Sequence, residues 1–288
     1  MQTINEIDIP DSDIELKDSE FRLFSRLIYE KAGINIQQHK RPLVKNRLGK
    51  RIREGKFRSF KQYYDYMVND KTGHEIVTMI DTISTNVTNF FRENQHFEFI
   101  KEQIIPELIK KRKNRRYNKF RIWSAACSSG EEPYSIAITF MQNLEPINPF
   151  DFMILGSDIS TKVLGVAEKG VYKQEKVQPV PKIMRMRYFT QIKKNNMCNY
   201  QIKDEVKKYL MFRRINLITR YFPFKNPIDI IFCRNVMIYF DKPTQSVLVN
   251  KFNEYLEERG YLFLGHSEGL TGVDHSFRYI MPSVYRKE

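Results

Sequence analysis

Cysteine is scarce: Cys127, Cys198 and Cys233 are the only three in 288 residues, and no two share a short spacing. That excludes a disulfide framework and a multi-cysteine zinc cluster, and it fits a reducing compartment. Long apolar runs are missing as well. No stretch approaches the roughly 20 residues of a membrane span, and the opening MQTINEIDIPDSDIELKD is acidic and polar where a secretory signal would be basic and then apolar. The expectation is a cytoplasmic protein with no membrane insertion. Histidine is the third scarcity: His39, His74, His96, His266 and His275 show no metal-ligand spacing, so no metal is assigned. Acidic residues are outnumbered, 34 against 48 Lys and Arg, which leaves a net charge of +14. An anionic partner follows, whether nucleic acid, membrane surface or acidic protein, and charge alone does not choose among them.

Core material is ample, with 41% of residues hydrophobic and 13% aromatic, enough for one large or two modest domains. Residues 1–13 read as a polar tail. Asp18 or Ser19 can cap a helix whose Phe21, Phe24, Leu27 and Ile28 fall at helical spacing, with Gly33 as its stop. A second helix from Arg41 to Arg53 carries Val44, Leu48 and Ile52 on one stripe, with Arg47, Lys50, Arg51 and Arg53 mostly elsewhere. Further helices at Ser59–Val68 and Gly73–Ile83 complete an all-helical domain over residues 14–85. An amphipathic helix from Asn94 to Lys111, kinked or restarted at Pro106, runs into KKRKNRR at Lys110–Arg116, a solvated helix end.

From Phe120 the rhythm becomes strand then helix: FRIWS, Glu131–Leu144, FMILGSD, Ser160–Lys169. This is the pattern of a parallel α/β sheet. Residues from about 172 to 212 break it and read as an inserted subdomain of small strands within a second domain spanning 86–288. Alternation resumes at a buried strand from Ile228, then a helix capped by Asp241 or Thr244 and ended by Gly260, then a hairpin of Tyr261–Leu264 and Phe277–Arg286.

The segment IWSAACSSGEEPYSIA carries the chemistry. A short apolar strand runs into Ala125, Ala126, Cys127, Ser128, Ser129 and Gly130, and a helix then opens with Glu131 and Glu132. Little side-chain bulk stands at the strand's carboxyl end, where open α/β sheets place ligands. Two carboxylates suit a helix N-terminus but repel the pyrophosphate of dinucleotide enzymes. One strand later, Asp158 either caps the helix beginning at Ser160 or binds vicinal ribose hydroxyls, and the neighbouring small-residue turn favours the ribose. An adenosine-bearing ligand without pyrophosphate, with an amino group near Glu131, describes S-adenosylmethionine.

At this point the chain resembles the chemotaxis receptor methyltransferases of the CheR type. The blocks are TNVTNFFRE (Thr85–Glu93), IWSAACSSGEEPYSIAI (Ile122–Ile138), GSDIS (Gly156–Ser160), IFCRNVMIYFD (Ile231–Asp241) and GYLFLGHSE (Gly260–Glu268), and the match covers nearly the whole chain after the tail. The resemblance implies a Rossmann-like S-adenosylmethionine-dependent methyltransferase sheet behind an N-terminal all-helical domain, with a small inserted β-subdomain. It implies cofactor contacts from Asn86, Thr88, Arg92, Glu131, Asp158, Asn216, Leu217, Arg234 and Asn235, with Arg92 and Tyr239 nearest the reacting groups. For Tyr239 the residues alone favour core packing. Arg47, Lys50, Arg51 and Arg53 become candidates for docking the acidic helical bundle of a receptor, and a monomer with no nucleic-acid partner is expected.

The implied reaction methylates receptor glutamates. A free glutamate ionises near pH 4.3, so the nucleophile needs no general base. The inserted segment is where some relatives bind a receptor's carboxyl-terminal peptide by strand addition, but QIKKNNMCNYQIK lacks the glycines expected of the tethering type. A nucleic-acid methyltransferase is the main rival, yet Asn226-Pro227-Ile228 is not the Asn/Asp-Pro-Pro-aromatic motif of amino-group methylation. A non-enzymatic adaptor is the second, and intact Arg92, Glu131 and Asp158 speak against it.

Overall fold

The computed structural model describes residues 14–111, 119–144, 151–194 and 197–288; the polar tail, the basic run beyond Lys111 and the centre of the QIKKNNMCNYQIK segment lie outside them. The described residues form two compact units, 14–31 with 35–83, and 32–34 with 84–288.

The first unit is helical: α1 (Asp18–Ala32), α2 (Arg41–Glu54), α3 (Phe60–Asn69) and α4 (His74–Ile83). Apolar residues at three- and four-residue intervals put Phe24, Val44, Leu48, Ile52, Phe60, Tyr63, Met67 and Met79 fully out of solvent. Phe24 sits at their centre, edge-on to Phe60 and Tyr64 and stacked on Tyr63. Ser59 caps α3 by accepting the Gln62 N–H. The start of α1 differs from the expected Asp18 or Ser19 cap, because both lie inside the helix. Glu20 takes over the work, accepting the Lys17 N–H at 2.8 Å and the Lys61 N–H at 2.9 Å. Gly33 follows α1 at φ 71°, the left-handed position expected of the stop.

The second unit opens with α5 (Asn94–Phe99), a π-helical stretch Ile100–Ile104 and α6 (Ile105–Lys111). The irregularity falls just ahead of Pro106, whose ring would crowd the carbonyl of the preceding α-helical turn. Then come β1 (Lys119–Ala125), α7 (Glu131–Leu144), β2 (Asp151–Asp158), α8 (Thr161–Lys169), β3 (Val171–Lys173), α9 (Gln174–Val177), α10 (Lys182–Tyr188), β4 (Phe189–Lys194), β5 (Met197–Ile202), α11 (Asp204–Lys207) and β6 (Leu210–Arg214). The chain ends with β7 (Ile228–Cys233), α12 (Lys242–Tyr255), β8 (Leu256–Leu264), β9 (Arg278–Met281) and β10 (Val284–Arg286).

Seven strands form one sheet in the order β6-β2-β1-β7-β8-β10-β9, parallel from β6 to β8 and antiparallel beyond. Both faces are covered, as a parallel sheet requires. Alternate residues of one strand therefore enter different cores: Phe120, Ile122, Ile230, Phe232, Tyr261 and Phe263 on one side, Trp123, Ala125, Ile231, Cys233, Leu262 and Leu264 on the other. β1 lies between β2 and β7, so the chain leaves it in one direction and later returns to its opposite flank. A crevice opens at such a switch point, outside the carboxyl end of β1.

Three local expectations change. The segment from 171 to 212 holds three short helices besides its antiparallel sheet β3-β5-β4, and its last strand, β6, joins the large sheet beside β2. Gly260 does not end a helix: α12, capped by Asp241, stops at Tyr255 and Gly260 lies within β8. There the β7 register jumps from Ile228↔Leu256 to Ile230↔Tyr261, and a Cβ on Gly260 would stand 2.8 Å from the Glu257 carbonyl oxygen. The glycine serves a bulge, not a cap. Phe277–Arg286 is itself a hairpin, β9 with β10, and only β10 pairs with β8.

Candidate active site

The turn after β1 is built from positive φ angles: Ala126 at 61°, Ser128 at 51° and Gly130 at 94°. Non-glycine residues adopt this region at a cost, and small side chains keep the cost low. Two anchors hold the turn. The Cys127 N–H donates to the Ser157 carbonyl at 2.8 Å, and the Ser128 N–H donates to Asp158 Oδ2 at 2.9 Å. Gly130 is also required sterically, since a Cβ there would lie 2.8 Å from the Ala167 methyl.

Asp158 is buried at the end of β2 and also accepts the Ser160 N–H, on Oδ1 at 2.9 Å. It is not the cap of α8; Ser160 is, through the Val163 N–H. The carboxylate thus ties the β1 turn to the β2 end. Glu131 is 1% exposed and accepts the Ser129 hydroxyl at 2.6 Å, with the Lys176 ammonium 3.7 Å away. Burial pushes its carboxyl above the usual range, against the pull of Ser129 and Lys176. Glu132 turns elsewhere, to the Ser124 hydroxyl at 2.7 Å and to Arg234 at 3.1 Å. The two acids that open α7 therefore do different work, Glu131 beside the turn and Glu132 in holding an arginine.

That arginine is the hub of a buried cluster. Arg234, whose side chain is 2% exposed, donates to Glu132 Oε2, to Glu93 Oε2 at 2.9 Å and to the Arg92 carbonyl. Asn235, at φ 59°, gives its side-chain amide to Glu93 Oε1 and its backbone N–H to Glu268 at 2.7 Å. Glu268 also accepts the Gly265 and Ile238 N–H groups. Glu93 is itself at φ 58°. Its burial opposes ionisation, but the Arg234 charge and hydrogen bonds from Arg234, Asn235 and the His266 backbone hold its carboxyl below the ordinary value. His96, fully buried, has its pKa pushed down to about 4 by burial and by Arg234, so it is neutral at neutral pH. Glu93, His96 and His266 bring three ligand-type atoms within 4.8 Å of one another, which their chain spacing does not suggest. Arg234 already puts a positive charge on that carboxylate.

The segment ahead of this cluster carries Asn86, half-buried, Thr88, buried, and Arg92, whose side chain is 38% exposed. Arg92 donates to the Val87 carbonyl at 3.1 Å. The Phe91 N–H donates to the Ser135 hydroxyl, which in turn donates to the Glu131 carbonyl, so this segment is hydrogen-bonded to α7. Asn216 makes a local turn, accepting the Ile218 N–H, and Leu217 is buried beside it, just beyond β6. Tyr239 lies in a short 3-10 turn and is half-buried, not a core side chain; among the described residues its hydroxyl has no hydrogen-bond partner.

The four α2 cations that are candidates for receptor docking separate into two groups. Arg51 forks onto Glu75 at 2.8 and 2.7 Å, and Glu75 also accepts the Tyr63 hydroxyl. Arg47 donates to the Ile83 carbonyl. Both are committed inside the helical unit. Lys50, 77% exposed, meets Glu54 at 3.9 Å, and Arg53 is exposed.

Glu93, Glu132, Glu268 and Lys176 go unassigned from sequence although they organise the site. Glu93 and Glu268 stand inside recognisable blocks, which was the available signal; Lys176 lies in the irregular insertion and had none. The residues fit S-adenosylmethionine. Ser128 Oγ, in the turn, is buried and has no hydrogen-bond partner among the described residues, Glu131 is a buried acid suited to an ammonium, and Asp158 is suited to vicinal hydroxyls.

Comparison with known proteins agrees. Residues 19–84 match the family model "CheR methyltransferase, all-alpha domain" and residues 86–285 match "CheR methyltransferase, SAM binding domain". A chemotaxis protein methyltransferase of Borreliella burgdorferi is 39% identical over 95% of this chain and 96% of its own length. A probable chemotaxis protein methyltransferase of Rhizobium etli is 38% identical over 90% and 96%, and the chemotaxis protein methyltransferase of Escherichia coli 36% over 94% and 92%. With both models matched over nearly all of the described chain, the chain belongs to the CheR methyltransferase family and carries that family's S-adenosylmethionine-binding domain.

Proposed function

We propose that this protein transfers the methyl group of S-adenosylmethionine to glutamate side chains of chemotaxis receptors, forming methyl esters in the adaptation step of chemotaxis. The observation that carries the assignment is the contrast between its arginines: Arg234 is buried and consumed by Glu93 and Glu132, while Arg92 meets Glu93 only at 4.0 Å and keeps 38% of its side chain exposed. An available guanidinium suits an acceptor that arrives as an anion. A glutamate is ionised above about pH 4.3, so no residue has to remove a proton.

The bound cofactor would supply an electrophilic methyl on a sulfonium; the chain's own residues supply placement. Glu131 would hold the cofactor's ammonium and Asp158 its ribose hydroxyls, with Asn86, Thr88, Asn216, Leu217 and Asn235 completing the surround and Arg234 acting through Glu93 and Glu132. Arg92 would steer the incoming carboxylate, and the Tyr239 hydroxyl would fix its second oxygen. Orientation of this kind can supply up to roughly 7 to 11 kcal/mol. Opposite charges cancel as the methyl moves, so exclusion of water favours transfer. On α2, Lys50 and Arg53 are the exposed cations proposed to meet acidic receptor helices, while Arg51 and Arg47 stabilise the helix that presents them.

The test is transfer of a tritiated methyl group to a receptor cytoplasmic fragment, with RNA and DNA as alternative acceptors. Label on the receptor that is released as methanol in mild alkali identifies a carboxyl ester. Alkali-stable label, or label on nucleic acid, would overturn the assignment.

A further inference from the structure

Lys176 is a feature that the family reading leaves unused. It stands on α9, in the inserted segment, yet its ammonium reaches the Thr88 segment and the start of α7. Nζ donates to the Thr88 carbonyl at 2.7 Å, approaches Asn89 Oδ1 at 3.5 Å and lies 3.7 Å from Glu131 Oε1. Glu131 is 1% exposed and, beyond Ser129, this lysine is its close cationic neighbour. A ligand ammonium directed to Glu131 would meet a carboxylate that already has a counter-ion.

We infer that Lys176 is a specificity-determining residue of the cofactor site, setting the balance between methyl donor and demethylated product by charge. The inference rests on the proposed placement of the cofactor's amino group at Glu131. S-adenosylmethionine carries a sulfonium, an ammonium and a carboxylate, a formal sum of +1; S-adenosylhomocysteine has lost the sulfonium charge and sums to zero. A fixed ammonium beside Glu131 therefore penalises the donor more than the product, beyond the competition for Glu131 that both ligands share.

Titration calorimetry of both nucleosides against the full-length protein, Lys176→Gln and Lys176→Arg provides the test. Lys176→Gln should tighten S-adenosylmethionine about tenfold and S-adenosylhomocysteine by clearly less, shifting their affinity ratio about threefold or more toward the donor. Lys176→Arg, which keeps the charge, should leave the ratio as in the unsubstituted protein. With 42% of its side chain exposed, Lys176 can be replaced without loss of the fold, which thermal melting checks. An unchanged ratio in Lys176→Gln, or weaker binding of both ligands, overturns the inference while leaving the cofactor site intact. An unsubstituted protein that binds neither nucleoside overturns both.

Discussion

Arg51 in the helical unit and Arg234 in the sheet unit make the same kind of contact, yet one of the two carboxylates on Arg234, Glu132, shifts the opposite way from Glu75 while Glu93 shifts the same way. Each guanidinium engages carboxylates at hydrogen-bond distance, Arg51 through a fork on Glu75 and Arg234 across Glu93 and Glu132. Arg51 keeps 27% of its side-chain surface and Arg234 only 2%. At the first site the Arg51 hydrogen bonds prevail over burial, and the Glu75 carboxyl is held below its ordinary value. At the second, burial prevails over Arg234, and the Glu132 carboxyl is pushed up. Near solvent the pair is a stabilising clamp; in the interior it is a polar arrangement whose desolvation the fold must offset elsewhere. What the interior pair provides instead is position, because it joins the FFRE segment, the start of α7 and the end of β7.

Removing the buried arginine should do the most damage. Arg234→Ala takes from Glu93 and Glu132 the buried cation they share, leaving Glu93 only the half-exposed Arg92 at 4.0 Å, and a loss of about 3 to 5 kcal/mol is expected. Trp123, the single tryptophan, lies in β1, so its fluorescence during urea unfolding reports on this unit. A loss under about 1 kcal/mol would mean that the acids take up protons at little cost. Arg92→Ala comes next and touches the chemistry. Its expected signature is a turnover reduced about a hundredfold, with S-adenosylhomocysteine affinity nearly unchanged, as for an interaction made mainly in the transition state. Equal turnover would remove Arg92 from the mechanism.

Arg51→Ala separates the two arginine sites through pH. It should cost about 2 kcal/mol at neutral pH, the range of a hydrogen-bonded charged pair, as read by far-UV circular dichroism in urea. Because the folded pKa of Glu75 is depressed, its contribution is present above the unfolded value of about 4.3 and disappears as pH falls through the folded value. The penalty of the substitution should therefore shrink on acidification. Glu132 has the reverse sign: its folded pKa is raised, so the native state holds the proton more tightly and stability declines as pH rises from about 4.3 through the folded value. A penalty for Arg51→Ala that grows in acid would contradict the assignment of Glu75.

The same contrast explains what the sequence could and could not reveal. Patterns that depend on a residue's immediate neighbours were legible: the helical spacing of Phe24 and Leu48, and the strand–turn–helix at Ala125–Glu131. Partners chosen by long-range geometry were not. Nothing near Arg51 announces Glu75, 24 residues away, and nothing near Arg234 announces Glu132, 102 residues away. Glycine was ambiguous for a related reason. Gly33 stops a helix through its own φ, a local property, while Gly260 follows a helix at a distance and answers to the register between β7 and β8. The inserted segment was least legible because its helices α9, α10 and α11 are four to seven residues long, too short to display a period.

The mildest change tests the surface half of the α2 reading. If the exposed cations meet an acidic receptor, Arg53→Glu should raise the Michaelis constant for the receptor about three- to fivefold, a rim-charge effect, without changing S-adenosylhomocysteine affinity or the urea midpoint. The increase should fade as ionic strength rises past about 0.15 M, where the screening length is near 8 Å. Arg51→Glu is the informative partner. It would set a carboxylate against Glu75, so its primary effect should be loss of structure, and any change in Michaelis constant would be secondary to unfolding. Steady-state kinetics at low and high salt, with circular dichroism on both variants, separates these outcomes. If Arg51→Glu stayed folded and raised the Michaelis constant more than Arg53→Glu, the Arg51–Glu75 clamp would be open in solution and Arg51 itself would be a docking residue.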